Sequence, residues 1–436
     1  MKFYDRETEI ELLLKIAKNS ANFAQMTLLL GRRRVGKTSL LKNAFQTSKE
    51  VVYFFVAKKN ELLLCEEFGR EIEEKLGLFL GNFQKFSLLF KALMLQSKNR
   101  NFTVIIDEFQ EFDHINSSIF SDIQNIWDSY KDNSKMNLIC CGSVYSIMKK
   151  IFENNKEPLF GRATAKIIIK PFTISVIKQI LYDYNPNYTN EDLLAFYMFT
   201  GGVAKYVEQL VLNKAFTKNK IIDAIFNTSS FFMDEGRAVL VDEFGKDYGN
   251  YYSILSLIAS SKNERSEIES LLNMEIGGYL DKLEKDFNII KRIRPFGAKE
   301  GSRNNRYKIE DNFLNFWFRF IYKYRSAIEI GNLEYVKQIV VRDYETFSGF
   351  ALENYFRAVL VESNRFSEIG NYWNKKGEDE IDIIAINDCE KTIKFYEVKR
   401  NKKRINLHDL EKKSKEIAKK YHNYSIKYLG FSMEDM

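Results

Sequence analysis

Proline is rare in this chain, four in 436 residues, and its scarcity predicts short linkers and helices that run long without interruption. Histidine is rarer still. His114, His408 and His422 stand far apart, which argues against a His/Cys metal site or a Ser-His-Asp triad. The cysteines Cys65, Cys140, Cys141 and Cys389 show no metal-ligand spacing, and Cys140 and Cys141 fall in an apolar run. They read as buried thiols in a reducing cytoplasm. No apolar run approaches the roughly 18 residues that cross a bilayer. Residues 1–18 read as an amphipathic helix with charges throughout, lacking the apolar core of a signal peptide. A cytoplasmic protein without a membrane partner is therefore expected.

Apolar residues make up 45% of the sequence, as in globular proteins, and no long polar tract points to disorder. The chain is too long for one ordinary core, so about two to four domains are expected. The formal charge is +7, and residues 391–436 alone hold 13 Lys/Arg against 6 Asp/Glu, an excess that equals the charge of the whole. Such a tail fits an acidic partner such as nucleic acid. A solvated helix face fits it equally well.

Five short runs rich in Val, Ile and Leu, at 26–30, 51–56, 103–106, 137–141 and 166–169, barely alternate in polarity. That pattern belongs to strands buried on both faces of a parallel sheet. Helical patterns lie between them, at 40–47, 62–78 and 119–130, so the first 170 residues read as an α/β layer fold. After Pro171 the strand signal ends and a helical stretch runs to about Phe244, interrupted at Gly201-Gly202. Helical patterns at 251–259, 266–272 and 277–285 then precede two β-like pieces, 289–293 and 306–309. Three helices and a hairpin in this order form a winged-helix pattern.

Gly31-Arg32-Arg33-Arg34-Val35-Gly36-Lys37-Thr38 fits the phosphate-loop pattern, with an apolar strand before it and a helix, beginning Lys37-Thr38-Ser39, after it. The glycines let backbone N–H groups curl around a polyphosphate, and the helix adds its positive end. Lys37 is expected on the β- and γ-phosphates of ATP and Thr38 on Mg²⁺. Val104-Ile105-Ile106 then ends in Asp107-Glu108. Asp107 suits the magnesium side through water, and Glu108 suits orienting or deprotonating the attacking water. Gln110 is a weaker candidate for the same water. Ser143, after the fourth strand, reads as a γ-phosphate sensor or a plain turn. Arg162, before the fifth strand, reads as an arginine finger in cis or in trans, or as a surface arginine.

These motifs carry a resemblance. Phe3-Tyr4-Asp5-Arg6-Glu7 with Glu9, the phosphate loop, Asp107-Glu108-Phe109-Gln110, Gly142-Ser143, Gly161-Arg162 and Thr200-Gly201-Gly202 resemble, in order, the motifs of the archaeal-type ATPase family, a STAND-like branch of the AAA+ class of P-loop NTPases. Phe316-Trp317-Phe318-Arg319-Phe320 and the segment 370–399 resemble the DUF234 domain that many members carry, which is similar to PD-(D/E)xK nucleases. The resemblance implies a P-loop parallel-sheet NTPase domain over 1–172, a helical lid over 173–245, a winged helix over 246–312, and a C-terminal α/β restriction-endonuclease-like domain over 313–436. Its helices are expected at 313–326, 345–363 and 407–421, and its strands at 380–386 and 393–399.

In that last domain, alternate residues of a strand share a face. Glu380 and Asp382 therefore point one way, and Glu397 and Lys399 share a face on the next strand. Two adjacent strands would bring Asp382, Glu397 and Lys399 together, with Glu353 on the preceding helix as a further metal ligand. Carboxylates suit Mg²⁺, and a metal-activated water suits phosphodiester hydrolysis. Lys399 would position the nucleophile or stabilise charge. Ile381 stands where such nucleases often have proline. The basic run 399–404, the helix with Lys412, Lys413, Lys415, Lys419 and Lys420, and the wing with Lys291, Arg292, Arg294, Lys299, Arg303, Arg306 and Lys308 against Glu300 are the candidate DNA contacts. Asp281, Glu284 and Asp286 on the presumed recognition helix oppose specific groove reading, and a wing that only packs is the alternative. Two functions remain open: an ATPase switch controlling a DNA-directed nuclease, or a nucleotide-controlled binding protein with an inert C-terminal domain. A homo-oligomer is compatible with both.

Overall fold

The computed structural model describes residues 1–244, 248–299, 301–302, 304–374 and 377–436. Glu300 and Arg303 of the wing lie outside the described residues, as does the expected boundary at 245/246. The chain divides into two compact units, one of Asp5–Lys170, the other of Pro171–Met436 with Met1–Tyr4.

The first unit is built on β1 (Gln25–Leu30), β2 (Val51–Phe55), β3 (Phe102–Asp107), β4 (Met136–Cys141) and β5 (Ala165–Ile168), all parallel in the order β2-β3-β4-β1-β5. All five expected strands are present. β1, β3 and β4 are buried along their whole length, because helices cover both faces of the sheet. Leu29, Ile105 and Ile139 pack on one face with Leu13, Leu40 and Leu41 of helices Glu7–Asn19 and Lys37–Ala44. Leu28, Leu30, Val104 and Ile106 pack on the other with Phe68, Phe86, Phe90 and Trp127. This alternation fixes which residues at the strand ends face which layer. Strand β4 lies between β1 and β3, so the segments following these three strands gather at one carboxyl edge, where ligands of open α/β sheets bind.

The second unit begins with helices Ile174–Tyr184, Asn190–Thr200, Ala204–Leu212 and Lys218–Ile225. Thr173, Thr189 and Thr217 cap three of them through their hydroxyls. Gly202 (φ +76°) has no room for a side chain, since a Cβ there would lie 2.3 Å from the Phe172 carbonyl oxygen. Helices Tyr248–Ala259, Arg265–Leu272 and Gly277–Asp281 then lead to the hairpin of β6 (Ile290–Ile293) and β7 (Arg306–Ile309). The expected helix at 313–326 is a short helix, Asn312–Phe316, continued by a π-helical turn, Trp317–Tyr322. Its rings enter the core of the preceding helices: Phe316 lies 4.5 Å from Phe199 and Phe313 lies 4.4 Å from Tyr206.

A 30-residue helix, Leu333–Glu362, precedes β8 (Glu368–Trp373), β9 (Glu380–Asn387) and β10 (Thr392–Val398), which form an antiparallel meander. Helix Leu407–Lys420 crosses over to β11 (Ser425–Phe431), which is parallel to β10. A C-terminal sheet domain is thus present, as expected. One continuous core joins Phe199, Tyr252, Phe313, Tyr355, Ile383 and Val398, so the segments expected as lid, winged helix and sheet domain share their interior.

Candidate functional site

The phosphate loop follows β1. Arg34 (φ 74°) and Gly36 (φ 97°) take left-handed backbone conformations, and a Cβ on Gly31 would lie 2.9 Å from the Ile169 carbonyl oxygen. The loop thus curls tightly before helix Lys37–Ala44. Val35 packs into the core, so only its backbone faces a ligand, while Arg32, Arg33 and Arg34 are half-buried and Ser39 is exposed. Lys37 is buried, and its ammonium donates to the carbonyl oxygens of Gly31 at 2.6 Å and Arg32 at 3.1 Å. Burial lowers its pKa, against the opposing pull of the Glu108 and Asp107 carboxylates.

Asp107 ends β3 beneath the loop. The Thr38 hydroxyl donates to its Oδ2 at 3.1 Å, and the Tyr53 hydroxyl donates to the same oxygen. Its Oδ1 accepts the Cys141 thiol and the Glu108 N–H, each at 3.0 Å. Burial and then the Asp107 carboxylate push the Tyr53 hydroxyl well above its usual pKa, so Tyr53 remains a donor. Tyr53 and Cys141 were not singled out from sequence.

Glu108 sits in the left-handed region (φ 54°), an uncommon place for a residue with a side chain. Its Oε2 accepts Gln110 Nε2 at 2.5 Å, the Ser143 hydroxyl at 2.8 Å and the Ser143 N–H at 3.2 Å. Gln110 is buried and holds Glu108 through its Nε2, and Ser143 likewise grips the carboxylate. Gly142 makes room for this: a Cβ there would lie 2.0 Å from Gln110 Oε1.

Arg162 is not part of this arrangement. It lies ahead of β5, whose first paired residue, Ala165, stands beside Thr27 near the start of β1. The phosphate loop leaves the other end of β1, so Arg162 lies at the opposite edge of the sheet. There it pairs with Asp128 at 3.1 Å and donates to the Phe160 carbonyl oxygen at 2.8 Å. The expectation of a finger onto its own chain's phosphates is corrected accordingly.

At the C-terminal site the pairing of β9 with β10 sets Asp382 opposite Glu397, next to the register pair Tyr396 and Ile383. Asp382 Oδ2 accepts the Val398 N–H at 2.7 Å and Lys399 Nζ at 3.3 Å. Lys399 Nζ stands 3.6 Å from Glu397 Oε1, while Glu397 Oε2 accepts the Asn406 N–H at 2.6 Å, ahead of helix Leu407–Lys420. Burial opposes the Lys399 charge, but Asp382 and Glu397 outweigh it and raise its pKa. Asp382, Glu397 and Lys399 therefore come together as expected. Glu353 does not complete a metal cage with them: among the described residues no group of three or more His, Cys, Asp or Glu side chains is gathered as metal ligands.

Glu353 is half-buried, and desolvation followed by the charges of Asp382 and Glu380 pushes its carboxyl up to about 8. The usual value is 4.5, so the unfolded chain releases this proton before the folded one does. Stability is then lost as pH rises from about 4.5 to about 8, by at most about 1.4 kcal/mol per pH unit for one proton. In denaturant titrations across that range with a chelator present, Glu353→Gln is expected to flatten the decline. An unchanged slope would show that Glu353 is ionised in the folded chain.

The hairpin follows the packing alternative for several of its cations. Arg292 pairs with Asp281 at 2.7 Å and Glu284 at 3.0 Å. Arg306 pairs with Glu380 at 2.8 Å and lies over the Trp373 ring at 4.6 Å. Phe296 packs among Ile381, Ile384 and Phe395 of the C-terminal sheet, and Lys308 Nζ donates to Asn354 at 3.2 Å. The hairpin is docked on the sheet domain, and only Lys291, Arg294 and Lys299 of its described cations are exposed. In the tail, Arg400 is used internally, on Ser348 and Glu191, and Lys413 pairs with Asp409. Lys402, Lys403, Arg404, Lys412, Lys415, Lys419 and Lys420 are exposed.

A parallel sheet with a phosphate loop after β1, a Thr38–Asp107 contact and a restrained Glu108 defines a P-loop ATPase. The family described as an ATPase domain predominantly from Archaea matches residues 3–210, and DUF234, described as archaeal and bacterial proteins of unknown function, matches residues 317–417. A relative from Methanocaldococcus jannaschii, the uncharacterized protein MJECL04, is 31% identical over 435 residues, covering 95% of this chain and 92% of that one. This chain belongs to the archaeal ATPase family, in the form that carries a C-terminal DUF234 domain. Among solved structures it is similar to the Walker-type ATPase PABY2304 of Pyrococcus abyssi, with a TM-score of 0.56 and 20% identity over 72% of this chain and 96% of that one, a likeness of fold. No helix among the described residues is long and apolar enough to cross a membrane.

Proposed function

We propose that this ATPase is a magnesium-dependent switch whose C-terminal domain cleaves DNA. At the phosphate loop, the Thr38 hydroxyl and the Asp107 carboxylate, 3.1 Å apart, suit a magnesium ion by the hardness of their oxygens. That ion would neutralise charge on the β- and γ-phosphates. Lys37 turns from the loop carbonyls to the phosphates, and Glu108 takes the proton of the attacking water. A role for Arg162 on phosphates would require a second copy of the chain.

The observation that carries the nuclease reading is the juxtaposition of Asp382, Glu397 and Lys399 across adjacent strands. The Asp382 and Glu397 carboxylates would hold a divalent cation, which would supply an activated water, and Lys399 would stabilise the phosphate charge. The exposed tail cations suit a nucleic-acid backbone. One observation favours the second reading, a nucleotide-controlled binding protein: Glu397 is engaged by Asn406 and Lys399 rather than open to a metal.

The test is cleavage of plasmid and single-stranded DNA in Mg²⁺ or Mn²⁺, with ATP, with a non-hydrolysable analogue and with neither. Metal-dependent product is the expected result. No product under any of these conditions would leave the binding protein as the better account.

A further inference from the structure

The docked hairpin places a cationic cluster beside the C-terminal carboxylates. Lys308 on β7 stands directly opposite Lys291 on β6, and like charges so placed destabilise a hairpin. Lys308 Nζ reaches Asn354, the neighbour of Glu353 on helix Leu333–Glu362. Arg357 lies one turn further along that helix, where it donates to the Asp382 carbonyl oxygen at 3.0 Å while its Nε is buried without a partner. Arg306 shares a strand face with Lys308 by the period of two, and its hold on Glu380 and Trp373 fixes the strand in place.

We propose that Lys308 and Arg357 form the phosphate-binding half of the C-terminal site, gripping a nucleic-acid phosphodiester next to Asp382 and Glu397. The inference rests on the nuclease reading above and changes the role of the winged hairpin. Instead of presenting a free wing to a groove, the hairpin contributes one lysine to the site of the sheet domain. Arginine and lysine together suit a phosphate: the guanidinium offers a planar fork and the ammonium a compact charge. Burial, and then the repulsion of Arg357 and Lys291, lowers the pKa of Lys308 to about 8, a penalty that an anionic ligand relieves.

The experiment is fluorescence anisotropy of a labelled DNA duplex with the full chain in EDTA, over a series of salt concentrations. Lys308→Met and Lys308→Gln are expected to weaken binding and to flatten the log K against log salt slope by about 0.9, the loss of one phosphate contact. Lys308→Arg should retain both. Melting temperatures of the Met and Gln variants should equal or exceed that of the unaltered chain, because one of three clustered cations is gone. A lysine with a merely structural role would instead lower them. If the unaltered chain binds DNA and both variants match it at every salt, the inference is overturned while the nuclease reading stands. If the unaltered chain binds no DNA, the nuclease reading falls first.

Discussion

Glu108→Gln is expected to bind ATP and retain it, with turnover reduced about 10²–10⁴-fold, the usual worth of a positioned general base. The structure gives this variant an unusually clean outcome. All three donors to Glu108, from Gln110 and from the hydroxyl and N–H of Ser143, converge on the single oxygen Oε2. A glutamine can place its amide oxygen there and keep every bond. The backbone already holds residue 108 in the left-handed region, and a glutamine faces the same preference as a glutamate. What is lost is the ability to accept a proton from water. Lys37→Ala should differ in kind. It removes the charge that meets the β- and γ-phosphates, so affinity should fall along with turnover. Measuring steady-state hydrolysis alongside retention of labelled ATP through gel filtration separates the two. Wild-type turnover in Glu108→Gln would remove Glu108 from the base role.

Much of this site was legible because its signals are local. The strand before Gly31, the glycine spacing and the helix after Lys37 lie within one short stretch, and the apolar strand ending at Asp107-Glu108 does too. Tyr53 was not legible. Its hydroxyl reaches Asp107 only because β2 lies beside β3, and strand order is not written in any one segment. Cys141 reaches Asp107 for the same kind of reason, at the end of β4 on the other side of β3. Arg162 shows the opposite error. Its place before a strand was visible, but the expectation ignored that a parallel strand starts at the edge away from the loop. In the second unit, helix Leu333–Glu362 begins well before the expected 345. Tyr335 and Val341 are 48% and 60% exposed on it, which blurs the apolar stripe that marks a helix. Strands β8 and β11 escaped notice because they are sheet edges with mostly half-buried or exposed residues. The wing's cations were counted correctly as a sequence, yet Arg292 and Arg306 are used in ion pairs that only the folded chain reveals.

Asp382→Asn is expected to abolish metal-dependent DNA cleavage while leaving the fold and ATP turnover intact. A divalent cation contributes several kcal/mol to such chemistry, so its loss should cost about 10³-fold or more. The stability cost should be small. Asparagine retains an oxygen for the Val398 N–H, now 2.7 Å from Asp382. Lys399 loses one partner but keeps Glu397, 3.6 Å away, so its ammonium stays paired. Lys399→Ala separates two accounts of the site. If the lysine only neutralises the carboxylates, its removal should favour cation binding at Asp382 and Glu397 and leave cleavage standing. If it stabilises the phosphate charge, metal should bind while cleavage falls. Manganese binding can be followed by electron paramagnetic resonance independently of any product. A chain that binds no manganese at Asp382 and cleaves DNA equally well after Asp382→Asn would place the reaction elsewhere. Absence of both binding and cleavage in the unaltered chain would instead make the Asp382–Lys399–Glu397 group a structural clasp, joining β9 and β10 to the N-terminus of helix Leu407–Lys420 through Asn406.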